Sequence, residues 1–191
     1  MNKRRASRRS FLAGSVSAWL APRWSGILAA QQHAHRVAES KQPAKLEFFS
    51  PEQAAEIEGV AAQIIPSDDT PGAREARIVY FIDRALTTFD RDRQRVYTQG
   101  LKDLQAKTRE MFPGAEKFSA LTSGQQIQLL GAMERTEFFG QVRLHTIVGF
   151  FANPEYGGNN NLAGWKLIGF DDSFDFRPPF GSYDRNYQQG A

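Results

Sequence analysis

Two four-residue boxes do most to limit the folds open to this chain. Ser50-Pro51-Glu52-Gln53 and Thr122-Ser123-Gly124-Gln125 each set a hydroxyl three residues ahead of a glutamine. The hydroxyl can accept the third helical N–H while the glutamine reaches back to the N–H of the cap, so each box predicts a helix start. Pro51 adds a preset φ at the first helical position. Behind the first box, Ile57, Val60, Ala61, Ile64 and Ile65 recur at helical spacing until Pro66; behind the second, Ile127, Leu129, Leu130 and Met133 form the expected core face. A helix over 73–88 carries the stripe Ile78, Val79, Ile82, Ala85, Leu86 and Phe89. Another is capped by Asp90 and runs through Arg109, with Val96, Tyr97, Leu101, Leu104 and Thr108 inward. A last one runs from Thr136 or Glu137 to Ala152. Its second half, Leu144 to Phe151, is apolar nearly all round apart from His145 and Thr146, which predicts burial on most sides. No alternating strand pattern precedes Trp165. The class is all-α: a small bundle of about five helices, then an ordered Gly/Asn loop and an extended C-terminal tail. The predicted divisions are a leader over 1–30, a linker over 31–46, a helical domain over 47–171 and a tail over 172–191.

The sequence pI of about 9.3 invites a nucleic-acid reading, which the position of the charge removes. Residues 1–30 hold six basic residues and no acid, so the net +3 of the whole chain less this +6 leaves −3 on residues 31–191. A phosphate-tracking surface is not expected on such a body. With no cysteine, disulfides, iron–sulfur clusters and thiolate metal sites are excluded, and three histidines leave little for an imidazole centre.

The basic start has its own meaning. Ser7-Arg8-Arg9-Ser10-Phe11-Leu12 follows the Ser/Thr-Arg-Arg-x-Phe-Leu pattern of a twin-arginine export signal, with Arg8, Arg9, Phe11 and Leu12 as its reading frame. The apolar segment behind it is much shorter than the roughly 20 residues of a membrane span, as an export signal allows. Ala29 and Ala30 are the best cleavage positions, and an uncleaved anchor is the alternative. This route carries proteins that fold first, often around a cofactor, yet the chain has no G-x-G-x-x-G dinucleotide fingerprint. A signal that also exports a cofactor-carrying partner accounts for this best. In the linker, His33 and His35 read as part of a solvated spacer, and Asp68-Asp69 as turn and cap residues more readily than as cation ligands.

The most specific stretch lies between His145 and Asp171. Asn153-Pro154 ends the preceding helix, Gly157 and Gly158 admit backbone angles closed to other residues, and Asn159, Asn160 and Asn161 can bond to nearby backbone. Tyr156 and Trp165 to Phe170 bracket the loop as its pins. His145 is the one histidine beyond residue 35. It has Glu155, Tyr156 or Asp171 as possible partners but no nucleophile motif, so a satisfied core histidine is the favoured reading. Trp165 and Lys166 can grip an anionic ligand, but suit a subunit contact better. The tail carries Phe174, Phe176, Phe180, Tyr183 and Tyr187 among polar residues, with Pro178-Pro179 favouring an extended path suited to lying over another protein.

Phe138, His145, Gly149-Phe150-Phe151, Pro154-Glu155-Tyr156-Gly157-Gly158-Asn159 and Gly164-Trp165-Lys166-Leu167-Ile168-Gly169-Phe170 together resemble gluconate 2-dehydrogenase subunit 3. The resemblance spans roughly Phe48 to Phe170 and is most specific over the loop. It implies a small, non-catalytic subunit of a membrane-associated sugar or sugar-acid dehydrogenase complex. The implied partners are an FAD-carrying large subunit of the glucose–methanol–choline type, a possible multi-haem cytochrome c subunit, and the twin-arginine translocase. The cofactors, FAD and haem c, would belong to those partners and none to this chain. The implied location is the periplasm, peripheral to the inner membrane. His145, Glu155, Tyr156, Gly157, Gly158, Asn159, Gly164, Trp165, Lys166 and Phe170 are then expected to pin the loop or dock a partner. The competing expectation is a stand-alone periplasmic enzyme or sugar-binding module built on the His145–Lys166 region.

Overall fold

A computed structural model describes residues 45–172. The predicted export signal with Arg8, Arg9, Phe11 and Leu12, the predicted linker up to residue 44, and the predicted tail from residue 173 lie outside the described residues. Among the described residues there are six α-helices and no strand: α1 Pro51–Ile64, α2 Ile78–Thr87, α3 Gln94–Met111, α4 Ser123–Met133, α5 Glu137–Phe151 and the short α6 Ala163–Ile168. The all-α expectation holds. The sixth helix is an addition, formed by residues that the sequence marks only as pins.

Both boxes close as their spacing requires. Ser50 Oγ accepts the Gln53 N–H and Gln53 Oε1 accepts the Ser50 N–H; Thr122 and Gln125 repeat the exchange. Helix α5 lies at the centre, packed against α1, α2, α3 and α6. Ile57 and Val60 of α1, Ile82 and Leu86 of α2, Leu104 of α3, Leu129 of α4 and Val142 and Phe150 of α5 are fully buried. At roughly 1.5–3 kcal/mol for each such side chain, this single core is the main favourable term in the fold.

Four expectations are corrected. The second helix begins at Ile78 instead of Ala73, because Arg77 takes a left-handed φ of 56° and breaks the first turn. Asp90 does not cap the third helix; a 3-10 turn over Arg91–Arg93 leads into α3, and the Asp90 carboxylate is used elsewhere. Ile127 is 59% exposed; its place on the inner face of α4 goes to Gln126, which donates to Phe118 O and accepts from Gln63. Helix α5 is not buried on most sides by the described residues: Leu144, Ile147, Val148 and Phe151 are each 37% to 54% exposed. Apolar composition sets what burial would stabilise, but not whether enough chain is at hand to cover both faces.

Candidate functional site

The site is built upward from α5. Its inner face brings His145 against α3, where the Tyr97 hydroxyl lies 2.8 Å from Nδ1 and the Asp90 Oδ2 3.1 Å from Nε2. A carboxylate only accepts, so Nε2 carries the proton and Nδ1 accepts from Tyr97. The Gln141 amide sits 2.9 Å from the same Nε2. With that nitrogen protonated, it is the amide oxygen that belongs there, a rotation that leaves the outline of the side chain unchanged. Burial pushes the His145 pKa below its ordinary value, and the Asp90 hydrogen bond opposes this without reversing it. Burial, helped by the Asp90 charge, holds the Tyr97 phenol well above its usual range, so Tyr97 stays a donor.

On paper a Tyr–His–Asp chain is a proton relay. Its terminal hydroxyl, however, would have to meet a substrate, and Tyr97 is fully buried, with the rings of Phe49 and Phe138 at 5.8 and 5.9 Å. His145 is 3% exposed. The chain is a polar clamp between α3, α5 and the turn before α3, in keeping with the core-histidine reading. One result follows. Because the folded pKa of His145 is depressed, the unfolded chain takes up the proton first as pH falls. The stability contributed is therefore complete above the unfolded value of about 6.5 and is lost as pH drops through the lower folded value. Urea midpoints measured at about pH 7.5 and 5.5 should fall more for the wild type than for His145→Gln, which cannot titrate there.

The loop after α5 is pinned from three sides. Arg84, buried on α2, donates from Nη1 to Glu155 O at 2.9 Å. Gly157 turns the chain at φ +100°, where a Cβ would also crowd the Tyr80 backbone at 3.3 Å, and a Cβ on Gly158 would lie 2.4 Å from Gly149 O. Asn159 is wholly buried and joins the two ends: its Nδ2 donates to Ala152 O at 2.9 Å, and its Oδ1 accepts from Gly164 N–H at 2.8 Å. Those bonds hold a costly backbone, since Asn159, Asn161 and Leu162 all take left-handed φ values of 48° to 59°. The Asn160 side chain donates to Glu75 O at 3.0 Å, and Trp165 Nε1 donates to Phe151 O at 2.8 Å.

The predicted residues therefore fall into distinct places. Tyr156, Gly157, Gly158, Asn159, Gly164 and the Trp165 indole N–H lie in or against the packed loop. Glu155 contributes its backbone carbonyl. Lys166 and Phe170 face outward, and Phe170 stacks edge-on against Trp165 at 5.0 Å. His145 and Lys166 are not brought together. Lys166 lines a cavity of about 380 Å³ with Thr70, Pro71, Glu75, Asn160 and Leu167. Of its polar lining, the Glu75 carboxylate is taken up by Ser67 Oγ at 2.5 Å and Gly72 N–H at 2.9 Å. Among the described residues, no group of three or more His, Asp or Glu side chains is placed to hold a metal ion.

Sequence reasoning passed over Asp83. This buried carboxylate on α2 accepts the N–H groups of Glu47, Phe48 and Phe49 at 2.8, 3.0 and 2.9 Å and ties the entering chain to the bundle. A signal was present: position 83 lies four residues after Val79 and three before Leu86, both on the predicted apolar stripe. A family model described as gluconate 2-dehydrogenase subunit 3 matches residues 51–172, from the first residue of α1 to just past α6. No curated protein and no solved structure matches the chain.

Proposed function

This chain belongs to the gluconate 2-dehydrogenase subunit 3 family, and from that premise we propose that it is a non-catalytic subunit that supports maturation and twin-arginine co-export of an FAD-carrying dehydrogenase subunit. The observation that carries this reading is the enclosure of His145. It is the residue of the competing enzyme reading best suited to proton transfer, and it is bonded on both ring nitrogens inside the core. The outward Lys166, on a short helix held by the pinned loop, and Phe170, just past that helix and packed edge-on against Trp165, suit a rigid docking edge for the partner. In this reading the partner is of the glucose–methanol–choline type, FAD sits in it, and haem c sits in a cytochrome subunit where one is present. The complex lies at the periplasmic face of the inner membrane; among the described residues no helix is long and apolar enough to cross a membrane.

The test changes Arg8→Lys and Arg9→Lys together in cells that make the flavoprotein. Periplasmic flavin-linked dehydrogenase activity should fall at least tenfold, with the flavoprotein retained in the cytoplasm. Unchanged export would overturn the shared signal. The purified full chain should show neither visible absorbance nor dehydrogenase activity. Calorimetric titration with gluconate separates the readings further, since saturable binding abolished by His145→Ala would favour the stand-alone sugar-binding module.

A further inference from the structure

Helix α5 carries an apolar face that the described residues leave open, and α6 extends it. Leu144, Ile147, Val148 and Phe151 stand at helical spacing on the outer side of α5. Helix α6 packs against α5, with Gly164 against the Phe150 carbonyl and the Trp165 indole bonded to Phe151 O. Beside the α5 stripe it sets out Leu162 at its N-cap, then Leu167 and Ile168, and Phe170 just beyond lies edge-on to Trp165. These eight side chains are each 37% to 61% exposed. At about 200 Å² for a large side chain in full, they put roughly 700 Å² into water. That exceeds the roughly 300–600 Å² of the largest patch on a typical monomer and approaches the roughly 800 Å² that each partner buries in a standard interface. Leu162 also holds a left-handed φ of 59° while its apolar side chain stays 40% exposed. A strained position that leaves an apolar group in water is better accounted for by contact across the face than by packing within the chain.

The charges at this face have a sign. Arg143 lies one turn from Ile147 and Lys166 next to Leu167; both are exposed, and among the described residues neither comes within 4.0 Å of a carboxylate. A second copy of the chain would bring the same two cations. Of its carboxylates at the face, Glu137 is already paired with Arg93, while Asp171 and Asp172 stand together past Phe170. A distinct protein with carboxylates opposite both cations fits better, and the family is described as one subunit of a dehydrogenase. We propose, resting on the subunit reading above, that the outer face of α5 together with α6 is the surface on which the FAD-carrying subunit docks. The partner meets it with an apolar patch of similar area that bears carboxylates opposite Arg143 and Lys166.

The test uses the full chain, tagged and produced together with the FAD-carrying subunit. Leu144→Glu with Ile168→Glu sets a carboxylate on the most exposed member of each helix at the face, and Ile127→Glu, on α4, is the control at a comparably exposed position. The captured subunit is recognised by its bound flavin, read as visible absorbance per tagged chain. The face pair should lower captured flavin at least tenfold and the control should leave it within twofold, with the three chains melting alike. Should the glutamate pair disturb folding, Leu144→Ser with Ile168→Ser replaces it, with at least a threefold loss expected. Arg143→Glu with Lys166→Glu should also lose at least threefold, whereas Arg143→Lys with Lys166→Arg should retain capture. Flavin captured by the face pair as by the wild type would overturn the assignment of this face and leave the subunit reading standing. A wild-type chain that captures no flavin would sink that reading and this inference together. A purified chain that is dimeric on its own, and monomeric as the face pair, would assign the face to a second copy and overturn the proposal.

Discussion

Asp83→Ala should cost about 4 kcal/mol of folding free energy, a large share of the roughly 5–15 kcal/mol that a domain possesses. The carboxylate takes three backbone N–H groups at 2.8 to 3.0 Å from a position that is 4% exposed. Hydrogen bonds to a charged group contribute about 1.5–3 kcal/mol each, and leaving buried donors without an acceptor costs their desolvation as well. The Glu47 and Phe48 amides are only partly buried and recover some of this from water; the Phe49 amide, more deeply placed, does not. Asp83→Asn keeps the shape and one acceptor oxygen but turns an N–H₂ toward one donor, so about half the loss is expected. Urea unfolding measures both. In the alanine variant, hydrogen exchange at the Phe49 amide should rise toward that of an open chain, and a midpoint within error of the wild type would show that the three bonds are dispensable.

Gly164→Ala should detach α6, at about 3 kcal/mol or more. A Cβ at this position would stand 1.9 Å from the Phe150 carbonyl oxygen, a backbone atom in the middle of the central packing. Carbon and oxygen approach to about 3.3 Å, so the helix must withdraw by more than an ångström. That breaks the Gly164–Asn159 bond and the Trp165–Phe151 bond, both 2.8 Å, which otherwise hold the left-handed backbone at 159–162. The loss is local, because α6 contributes only Ala163 to the buried core. It should therefore appear as lost exchange protection of the Trp165 indole N–H while the Leu104 and Val142 amides stay protected. Gly131→Ala is the matched control. Nothing lies within 4 Å of its Cβ on the outer side of α4, so it should stabilise by about 0.5–1 kcal/mol through helix propensity alone.

The family match and the proposed export bear on different parts of the chain. The match over 51–172 covers the helices and the pinned loop. The proposal of shared export rests on Arg8 and Arg9, outside the matched span. Changes at those positions therefore alter export while leaving the helical body intact. Conversely, Asp83→Ala and Gly164→Ala test the body without touching the signal.

What the sequence alone determined is what depends on neighbours within one helical turn. The Ser50 and Thr122 boxes, the stop at Asn153-Pro154 and the turn at Gly157 were legible because donor and acceptor, or ring and backbone, lie within four residues of each other. The requirement for glycine and asparagine between 157 and 164 was legible too, although the reasons were not. Only the tertiary structure decided that Asn159 joins Ala152 to Gly164 and that Gly164 must admit the Phe150 carbonyl. Asp90, read as a cap, reaches His145 across 55 residues, and Asp83 reaches Phe49 across 34. The outer face of α5, apolar like its inner face, is left open by the described residues. Local geometry restricts each short segment to a few conformations, whereas these contacts form only when segments far apart in the chain are brought together, and no spacing along the sequence encodes that distance.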